Sequence, residues 1–445
     1  MPLARRPKGY GQFMAFSFIH TKQPKEMYLL ALTEMTQRFA FWGIANLLVI
    51  YLVQYQKFSD VLADQLFGIF TGISFLLPIL GGYLADRFNY RLPIIWGMCS
   101  TAVGCFLMAT GQVSLIYVAL LFVAFGAATF TPSIWALLGT LYHNQHHLRE
   151  GGFSIYYSAV NIGIFGGLIV IGAFGQAKLW SVAFVIAGLV QLGGLYFFSK
   201  ALENPELLKM SKTKKISKVQ REAPLHKHEQ NRIIVICILS LFSVIFWMAY
   251  NQGGSSLNLF ALRFTDRHVL GIEIPPSWLL SAETFYLIIF AIPLATLYGF
   301  LSKRKMNPSP AFKSGLSLIS MAVCFAIMSI GARSIPDGAQ IASISPFYLI
   351  FAYAFMALGE MLIAPIGLSL ITHLSPHRFT GLLVGCWYVC IGIAFYLGGA
   401  IAPLMSHLQS MSSFFNLFVI VSVIAAIFLF ALVKRLNKMR HLNSL

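Results

Sequence analysis

Four ionisable side chains lie inside long apolar stretches of this sequence: Glu34, Arg38, Glu283 and Glu360. Charged side chains in a hydrocarbon environment are costly, and where they occur they usually line a pathway or a binding site. Glu34 precedes Arg38 by four residues, which is the favourable order for an ion pair on one helix face. Three carboxylates and one guanidinium leave an excess of negative charge that needs protons or a cationic group on a ligand. A proton-coupled carrier of an amine-bearing substrate requires this charge balance.

Each of these side chains also has a structural interpretation. Glu34 and Arg38 can form a pair that only holds the first apolar span against its neighbours. Glu283 lies near the outer end of its span, where a long side chain can reach the water layer. Glu360 lies deep in its span, so a purely structural role is least expected there.

The elements that position these residues follow from the composition. Of the 445 residues, 58% are hydrophobic and 11% are charged, whereas soluble globular chains carry about 25% charged residues. The apolar residues come in blocks, which excludes soluble enzymes, DNA-binding domains, disulfide-rich secreted domains and disordered chains. We therefore predict an all-α membrane protein with twelve transmembrane helices, each a run of about 20 apolar residues. The predicted spans are 28–54, 64–85, 92–110, 114–141, 152–175, 179–199, 233–261, 277–301, 311–331, 346–372, 380–404 and 413–433.

The distribution of Lys and Arg predicts the orientation. With the N-terminus in the cytoplasm, 26 of the 32 Lys and Arg residues lie on the cytoplasmic side, five lie outside and Arg38 lies within a span. Because cytoplasmic loops collect positive charge, we predict a multi-pass protein of the cytoplasmic (inner) membrane with both termini in the cytoplasm. The net charge of +17 then reflects topology, so we expect the lipid bilayer, and no nucleic acid, as a partner.

The twelve spans fall into two groups of six, separated by a polar, basic stretch. The predicted order is a cytoplasmic tail, a six-helix bundle, a basic cytoplasmic linker, a second six-helix bundle and a cytoplasmic tail, at residues 1–27, 28–199, 200–232, 233–433 and 434–445.

The two groups also repeat one another. Segment 82–87 ends span 2 as segment 299–304 ends span 8, and Arg149, Gly152 and Gly163 recur at the spacing of Arg378, Gly381 and Gly392. Since the matching segments have the same topology, the sequence predicts two six-helix bundles that rock about a central site.

Four motifs carry a resemblance to a known family. Segment 34–43 (EMTQRFAFWG) resembles the E-x-x-E-R-F-x-Y-Y-G signature of the proton-dependent oligopeptide transporters, which belong to the major facilitator superfamily. Segments 152–163, 246–258 and 359–376 are similar to that family's signatures in spans 5, 7 and 10. The resemblance covers spans 1, 2, 4, 5, 7, 8, 10 and 11. It implies the major facilitator fold and proton-coupled symport of di- or tripeptides, or peptide-like amines, by alternating access.

The resemblance also implies roles for individual residues. Glu360 matches the family's contact for the substrate amino group, with Asn161 beside it, and Arg38 matches the residue that serves the substrate carboxylate and the proton relay. The predicted substrate-binding residues are Arg38, Phe41, Trp42, Tyr157, Asn161, Trp247, Gln252, Glu360 and Trp387. The predicted proton-coupling residues are Glu34, Arg38, Glu360 and Glu283.

Four positions depart from the family pattern. Gln37 replaces the second motif glutamate, Ala45 an arginine, Thr131 a lysine and Asn251 an acid. In the family that arginine and that acid form an outer gate pair, and because both are neutral here we expect the gate to close by packing. Two of the three cations that face a peptide carboxylate are also missing. This favours weak recognition of a free C-terminus or, as an alternative function, an atypical member that imports or exports a non-peptide solute.

The loop between spans 2 and 3 contains Gly82, Asp86, Arg87 and Arg91, which resemble the loop signature of the wider superfamily. We predict a cytoplasmic gate loop in which Asp86 caps a helix or pairs with an arginine, and so latches one state.

The sequence contains no Walker A, H-E-x-x-H or G-x-S-x-G motif, so we expect neither an ATP-driven pump nor an enzyme, and no cofactor or metal. His143, His146 and His147 are expected to form a solvated face. An intramembrane enzyme lacks a nucleophile with a base here, and the retained Glu34, Arg38 and Glu360 argue against a sensor that has lost transport. The expected partners are a small-molecule substrate and protons, and the expected state is a monomer.

Overall fold

The long apolar runs of the sequence form helices, because a helix satisfies its own backbone hydrogen bonds in a bilayer. The computed structural model describes residues 23–142, 146–212, 227–269, 271–304, 306, 308–336, 339, 341–374, 380–402, 404 and 410–439. Within these residues, twelve helices are long and apolar enough to cross a membrane. The prediction of twelve spans is therefore confirmed, and we number the spans 1 to 12 in chain order.

The helices that the structure describes are Lys25–Gln54, Asp60–Leu76, Pro78–Phe88, Arg91–Ala109, Val113–Leu141, His146–Gln176, Trp180–Ala201, Pro205–Lys212, Lys227–Tyr250, Ser256–Phe264, Pro276–Lys303, Pro310–Ala332, Phe347–Leu374, Thr380–Ile401 and Met411–Met439. Span 2 is broken before Pro78, which begins a new helix, as its missing N–H and fixed φ favour. Span 7 contains a 3₁₀ turn at Asn251–Gly253. Strands His268–Val269 and Ile272–Glu273 form an antiparallel pair after span 7.

The segment predicted as a linker contains helical residues. It includes the end of span 6, the short helix Pro205–Lys212 and the beginning of span 7 at Lys227. Residues 213–226 of the basic run lie outside the described residues.

Spans 1 and 5 pack closely in the first bundle because glycines let their backbones approach. A Cβ at Gly163 would collide with the backbone of Met35, and one at Gly167 would collide with the carbonyl of Phe39. This packing fixes the faces of span 1 and span 5, which carry Glu34, Arg38 and Asn161.

The two bundles meet at the end of the molecule that carries the 1–2 and 7–8 loops. Spans 2 and 11 cross with Gly68 against Gly399, where a Cβ on either would overlap the other backbone. Spans 5 and 8 are joined where the Trp278 indole N–H donates to the Ile169 carbonyl at 3.0 Å. Asn258 of span 7 donates to the Asn46 carbonyl of span 1 at 2.6 Å. The structure is therefore closed at this end, which the charge distribution predicts to be the outside.

Candidate functional site

A cavity of about 200 Å³ lies between the two bundles and is lined by both of them. Spans 1, 2 and 5 contribute one wall and spans 7, 8, 10 and 11 the other. The lining is largely apolar and aromatic, with Trp42 and Phe67 on the first wall and Trp247 and Phe395 on the second. A largely apolar pocket with a few convergent polar groups is the usual form of a small-molecule site.

The acidic groups of the cavity are Glu283 from span 8 and Glu360 from span 10. The two carboxyl groups lie close enough to interact with each other and with the Tyr250 hydroxyl. Glu283 Oε1 and Glu360 Oε2 are buried without a hydrogen-bond partner. Glu283 is only 4% exposed, which is incompatible with the interpretation that its side chain reaches the water layer.

Glu34 and Arg38 form the ion pair that their spacing predicts. The Arg38 Nε–H donates to Glu34 Oε1 at 2.7 Å, and the Tyr156 hydroxyl donates to Glu34 Oε2 at 2.6 Å. Arg38 Nη2 also donates to the Thr131 hydroxyl at 3.4 Å, at the position of the family's lysine. The Tyr388 ring of span 11 lies close enough to interact electrostatically with both members of the pair. The pair therefore belongs to the first bundle but faces the second.

Gln37, the residue that replaces the second motif glutamate, is buried in a hydrogen-bonded network of the first bundle. Its amide donates to the Thr101 hydroxyl at 3.3 Å and its carbonyl oxygen accepts a hydrogen bond from Gln191. A neutral amide can thus join spans 1, 3 and 6 where a carboxylate would need a counter-charge.

Five of the nine predicted substrate-binding residues line the cavity: Trp42, Tyr157, Asn161, Trp247 and Glu360. The Asn161 amide donates to the Tyr157 carbonyl at 2.9 Å, which fixes its side chain against its own helix. The cavity wall also includes Ala45 and Asn251, where the family has its gate pair.

The remaining predicted residues, Arg38, Phe41, Gln252 and Trp387, are not among those that line this cavity. Phe41 is buried behind the wall, with its ring 5.4 Å from that of Trp42. Gln252 is buried, donates to the Gly398 carbonyl at 3.0 Å and accepts from Ser256 at 2.6 Å. Trp387 is buried in the core of the second bundle.

The outer closure includes close packing, with Gly68 against Gly399, and also polar contacts between the bundles. Asn251, at the position of the family's acid, donates within its own bundle to the Phe395 carbonyl at 2.9 Å. An ion pair between Asp60 of span 2 and Arg263 of span 7 instead joins the two bundles, as does a hydrogen bond from Arg267 to Gln176 at 3.3 Å. No sequence pattern indicated this pair, because 203 residues separate its members and no motif contains both.

Two further residues that the sequence analysis did not assign individually are Tyr156 and Tyr250. Tyr156 lies in segment 152–163 beside Tyr157, and Tyr250 lies in segment 246–258 beside Asn251, so their place in these motifs was the indication that the sequence offered. Their hydroxyls contact the carboxylates on which the predicted chemistry depends.

The structure describes part of the predicted gate loop and of the histidine cluster. Gly82 lies in the helix Pro78–Phe88 with open space beside its Cα. The side chains of Asp86, Arg87, His146 and His147, and all of His143, lie outside the described residues. Arg91 begins span 3, where its backbone N–H donates to Asn89 Oδ1 at 3.0 Å. In the part of the chain that the structure describes, no group of three or more His, Cys, Asp or Glu side chains is arranged to hold a metal ion.

Comparison with known proteins extends the resemblance of the four sequence motifs over most of the chain. A family model described as the POT family matches residues 94–201 and 199–421. Dipeptide and tripeptide permease A of Escherichia coli (strain K12) is 27% identical over 431 residues, which cover 86% of this chain and 85% of the relative. The permease of the same name from Erwinia pyrifoliae is 26% identical, with 86% of each chain covered.

Solved structures show the same architecture. A peptide transporter POT in complex with sulfate matches with a TM-score of 0.85 at 21% identity, covering 94% of this chain and 96% of that chain. A POT family transporter in complex with 5-aminolevulinic acid also matches with a TM-score of 0.85, at 17% identity and with 93% and 97% covered. These likenesses confirm the predicted fold of twelve helices in two six-helix bundles.

Proposed function

This chain belongs to the POT family, and on that premise we propose that it is a secondary active transporter that carries di- or tripeptides, or peptide-like amines, together with protons. The observation that carries the proposal is the acidic cavity between the bundles, in which Glu360 keeps a buried carboxylate oxygen without a partner. A substrate ammonium group supplies the missing donor and the missing positive charge.

Alternating access is supported by where the two bundles touch. Their contacts at Gly68, Trp278 and Asn258 lie on one side of the cavity, near the 1–2 and 7–8 loops. Rocking of one bundle against the other exchanges these contacts for contacts at the opposite end, while the cavity residues stay in place. In the predicted orientation the protein lies in the cytoplasmic (inner) membrane with both termini in the cytoplasm, and the closed end is then the outer one.

The proposed substrate contacts follow from the lining. Glu360 binds the substrate's cationic group with Asn161 beside it, and Trp42, Trp247 and Tyr157 supply walls that tolerate different side chains. Phe41 supports Trp42 from behind, whereas Gln252 and Trp387 act through the packing of the second bundle.

Arg38 and Glu34 form the proposed link between substrate and proton. A substrate carboxylate that binds Arg38 competes with Glu34, and Glu34 then takes up a proton in place of its lost counter-charge. Glu360 and Glu283 are the further protonation sites of the proposal. The protein works in the bilayer as a monomer, with the substrate and protons as its partners.

An atypical member that moves a non-peptide solute is the second candidate. The observation that favours it is the absence of a basic side chain at Ala45 and Thr131, the two positions where the family pattern has cations. Such a solute would carry an amine but no carboxylate, and the direction of its transport would be either import or export.

The test is uptake of labelled dialanine into proteoliposomes that contain the full chain. Accumulation that depends on an inward proton gradient and is competed by unlabelled dipeptides supports peptide symport. Uptake of dialanine that does not depend on the gradient contradicts peptide symport. Absence of dialanine uptake by a protein that does carry an amine solute also contradicts it and favours the second candidate.

A further inference from the structure

The cavity has an unusual charge balance. Its lining includes two glutamates, whereas the described lining residues include no lysine, arginine or histidine. The arginine of span 1 does not compensate them, because its guanidinium is already bonded to Glu34 at 2.7 Å. Two adjacent carboxylates without a counter-charge are costly in a low-dielectric site.

The neighbours of the two carboxylates are hydroxyl groups. Tyr250 interacts with both acids, Tyr157 interacts electrostatically with both and Tyr353 with Glu283. A tyrosine hydroxyl can donate a hydrogen bond, but it brings no positive charge. The compensating charge therefore comes from outside the protein, as protons or as cationic groups of a bound molecule.

The two side chains are also held in a definite arrangement. The Thr284 hydroxyl donates to Glu283 Oε2 at 3.4 Å, which leaves Oε1 as the unpartnered atom of this carboxylate. Glu360 presents Oε2 in the same way from span 10. Both glutamates thus line the cavity, and each has one buried carboxylate oxygen without a hydrogen-bond partner that can accept a charged N–H.

We propose that Glu283 and Glu360 together form a clamp for two cationic groups of one substrate, so that the preferred substrates are compact diamines and peptides whose first residue carries a second amino group close to its α-ammonium. Transport of such peptides rests on the proposed function, whereas binding of a diamine to the clamp does not. Two ammonium groups match the two carboxylates in charge and in hydrogen-bond donors. A single ammonium matches one carboxylate and leaves the other to be neutralised by a proton.

The clamp has a consequence for protons. When a monocationic substrate is bound, the pair of carboxylates also holds a proton, whereas a dicationic substrate takes the place of that proton. Binding of the dicationic substrate therefore releases more protons, and its affinity rises more steeply as the pH rises. The titratable groups of spans 5, 7 and 10 that interact electrostatically with the pair are Tyr157, Tyr250 and Tyr353.

The test is calorimetric titration of the purified full chain in lipid nanodiscs with 1,3-diaminopropane and with propylamine. We expect the diamine to bind at least tenfold more tightly. Glu283→Gln should remove this preference by lowering the diamine to the level of propylamine, and Glu360→Gln should weaken both ligands. Glu283→Asp, which keeps the charge, should retain a preference and shows that loss in Glu283→Gln is not misfolding. Glu203→Gln, at an exposed surface pair with Lys200, is the matched control and should behave as the unaltered chain.

Equal affinity for the two amines in the unaltered chain, or a preference that survives in Glu283→Gln, overturns the clamp. A parallel liposome assay compares dialanine with 2,3-diaminopropionyl-alanine and separates the two proposals. Dialanine uptake without a diamine preference overturns the clamp alone. A diamine preference without uptake of either peptide supports the clamp and contradicts peptide transport.

Discussion

Arg263 of span 7 binds Asp60 at the start of span 2 with both arms of its guanidinium, and thereby joins the second bundle to the first. Arg263 Nη2 lies 2.8 Å from Asp60 Oδ1, and Nη1 contacts Oδ2. The side chains are 27% and 32% exposed, so solvent screens the pair and its contribution is about 0.2–1 kcal/mol. Because the bundles separate at this end during transport, even this amount biases the equilibrium between the two states.

The first prediction concerns this ion pair between Asp60 and Arg263. Asp60→Arg and Arg263→Asp should each lower the rate of dialanine uptake, because like charges then face each other across the bundle interface. The double reversal should recover most of the loss, with a coupling of about 1 kcal/mol or less in a double-mutant cycle. A double variant no faster than either single one would show that the pair does not connect the bundles in the working protein.

The second prediction concerns Glu360 and the substrate's cationic group. Glu360→Gln keeps the shape of the side chain and removes its charge, so binding of an amine-bearing substrate should weaken by about 2–5 kcal/mol, as for the loss of a buried charge pair. Equilibrium binding of labelled dialanine measures this, with Glu203→Gln as the surface control. Unchanged affinity in Glu360→Gln would remove Glu360 from the site.

The third prediction concerns the substrate's carboxylate. Ala45 and Thr131 stand where the family pattern has cations, and Arg38 is bonded to Glu34 outside the cavity lining. Amidated dipeptides should therefore compete with labelled dialanine nearly as well as free dipeptides do. A hundredfold loss on amidation, about 2.7 kcal/mol, would mean that Arg38 alone suffices for carboxylate recognition.

Local patterns in the sequence predicted what local physics determines. The twelve spans follow from the length of apolar runs, and the 2.7 Å contact between Glu34 and Arg38 follows from their spacing on one helix. Membership of a motif did not predict which side chains line the cavity. Trp247 lines it, whereas Gln252, from the same segment, is hydrogen-bonded to the Gly398 carbonyl. Which way a side chain faces depends on how the neighbouring span packs, and one sequence does not contain that information.

The sequence did not predict which side chains from different spans contact one another. The sequence predicted Glu283 and Glu360 as proton-coupling acids, but only the packing of span 8 on span 10 brings them close enough to interact. Asp60 and Arg263 are charged residues near the ends of their helices, as is common, so no feature of the sequence indicated that they are partners. In both cases the contact depends on how helices that the sequence predicts well pack together, within the second bundle for Glu283 and Glu360 and between the bundles for Asp60 and Arg263.

The fourth prediction concerns the glycine crossing of spans 2 and 11. A Cβ at Gly68 would lie 2.5 Å from the Gly399 Cα, and neither backbone can yield without separating the spans. Gly68→Ala should therefore disfavour the state closed at this end by about 1–3 kcal/mol, the usual cost of overpacking, and reduce uptake. Gly193→Ala in span 6, where an added Cβ meets nothing within 4 Å, is the matched control. Uptake by Gly68→Ala equal to that of the control would mean that transport does not require this close approach.

The last prediction concerns the proton. Glu34 is fully buried, and both of its carboxylate oxygens are occupied, one by Arg38 at 2.7 Å and the other by the Tyr156 hydroxyl at 2.6 Å. Gln37 cannot titrate, so Glu34 is the titratable acid of this motif. Glu34→Gln keeps a hydrogen-bonding side chain but removes the group that exchanges a proton when Arg38 leaves it for the substrate.

We expect Glu34→Gln to abolish dialanine accumulation driven by a pH gradient and to leave counterflow exchange largely intact, because exchange needs the substrate site but no net proton movement. The two liposome assays are run on the same preparation of each protein. Tyr156→Phe is the companion variant: it removes one hydrogen bond to Glu34 and keeps the acid, so gradient-driven uptake should continue. Accumulation that survives in Glu34→Gln would show that the proton travels elsewhere. Glu283 and Glu360, which already face each other in the cavity, would then be the next acids to replace, first singly and then together.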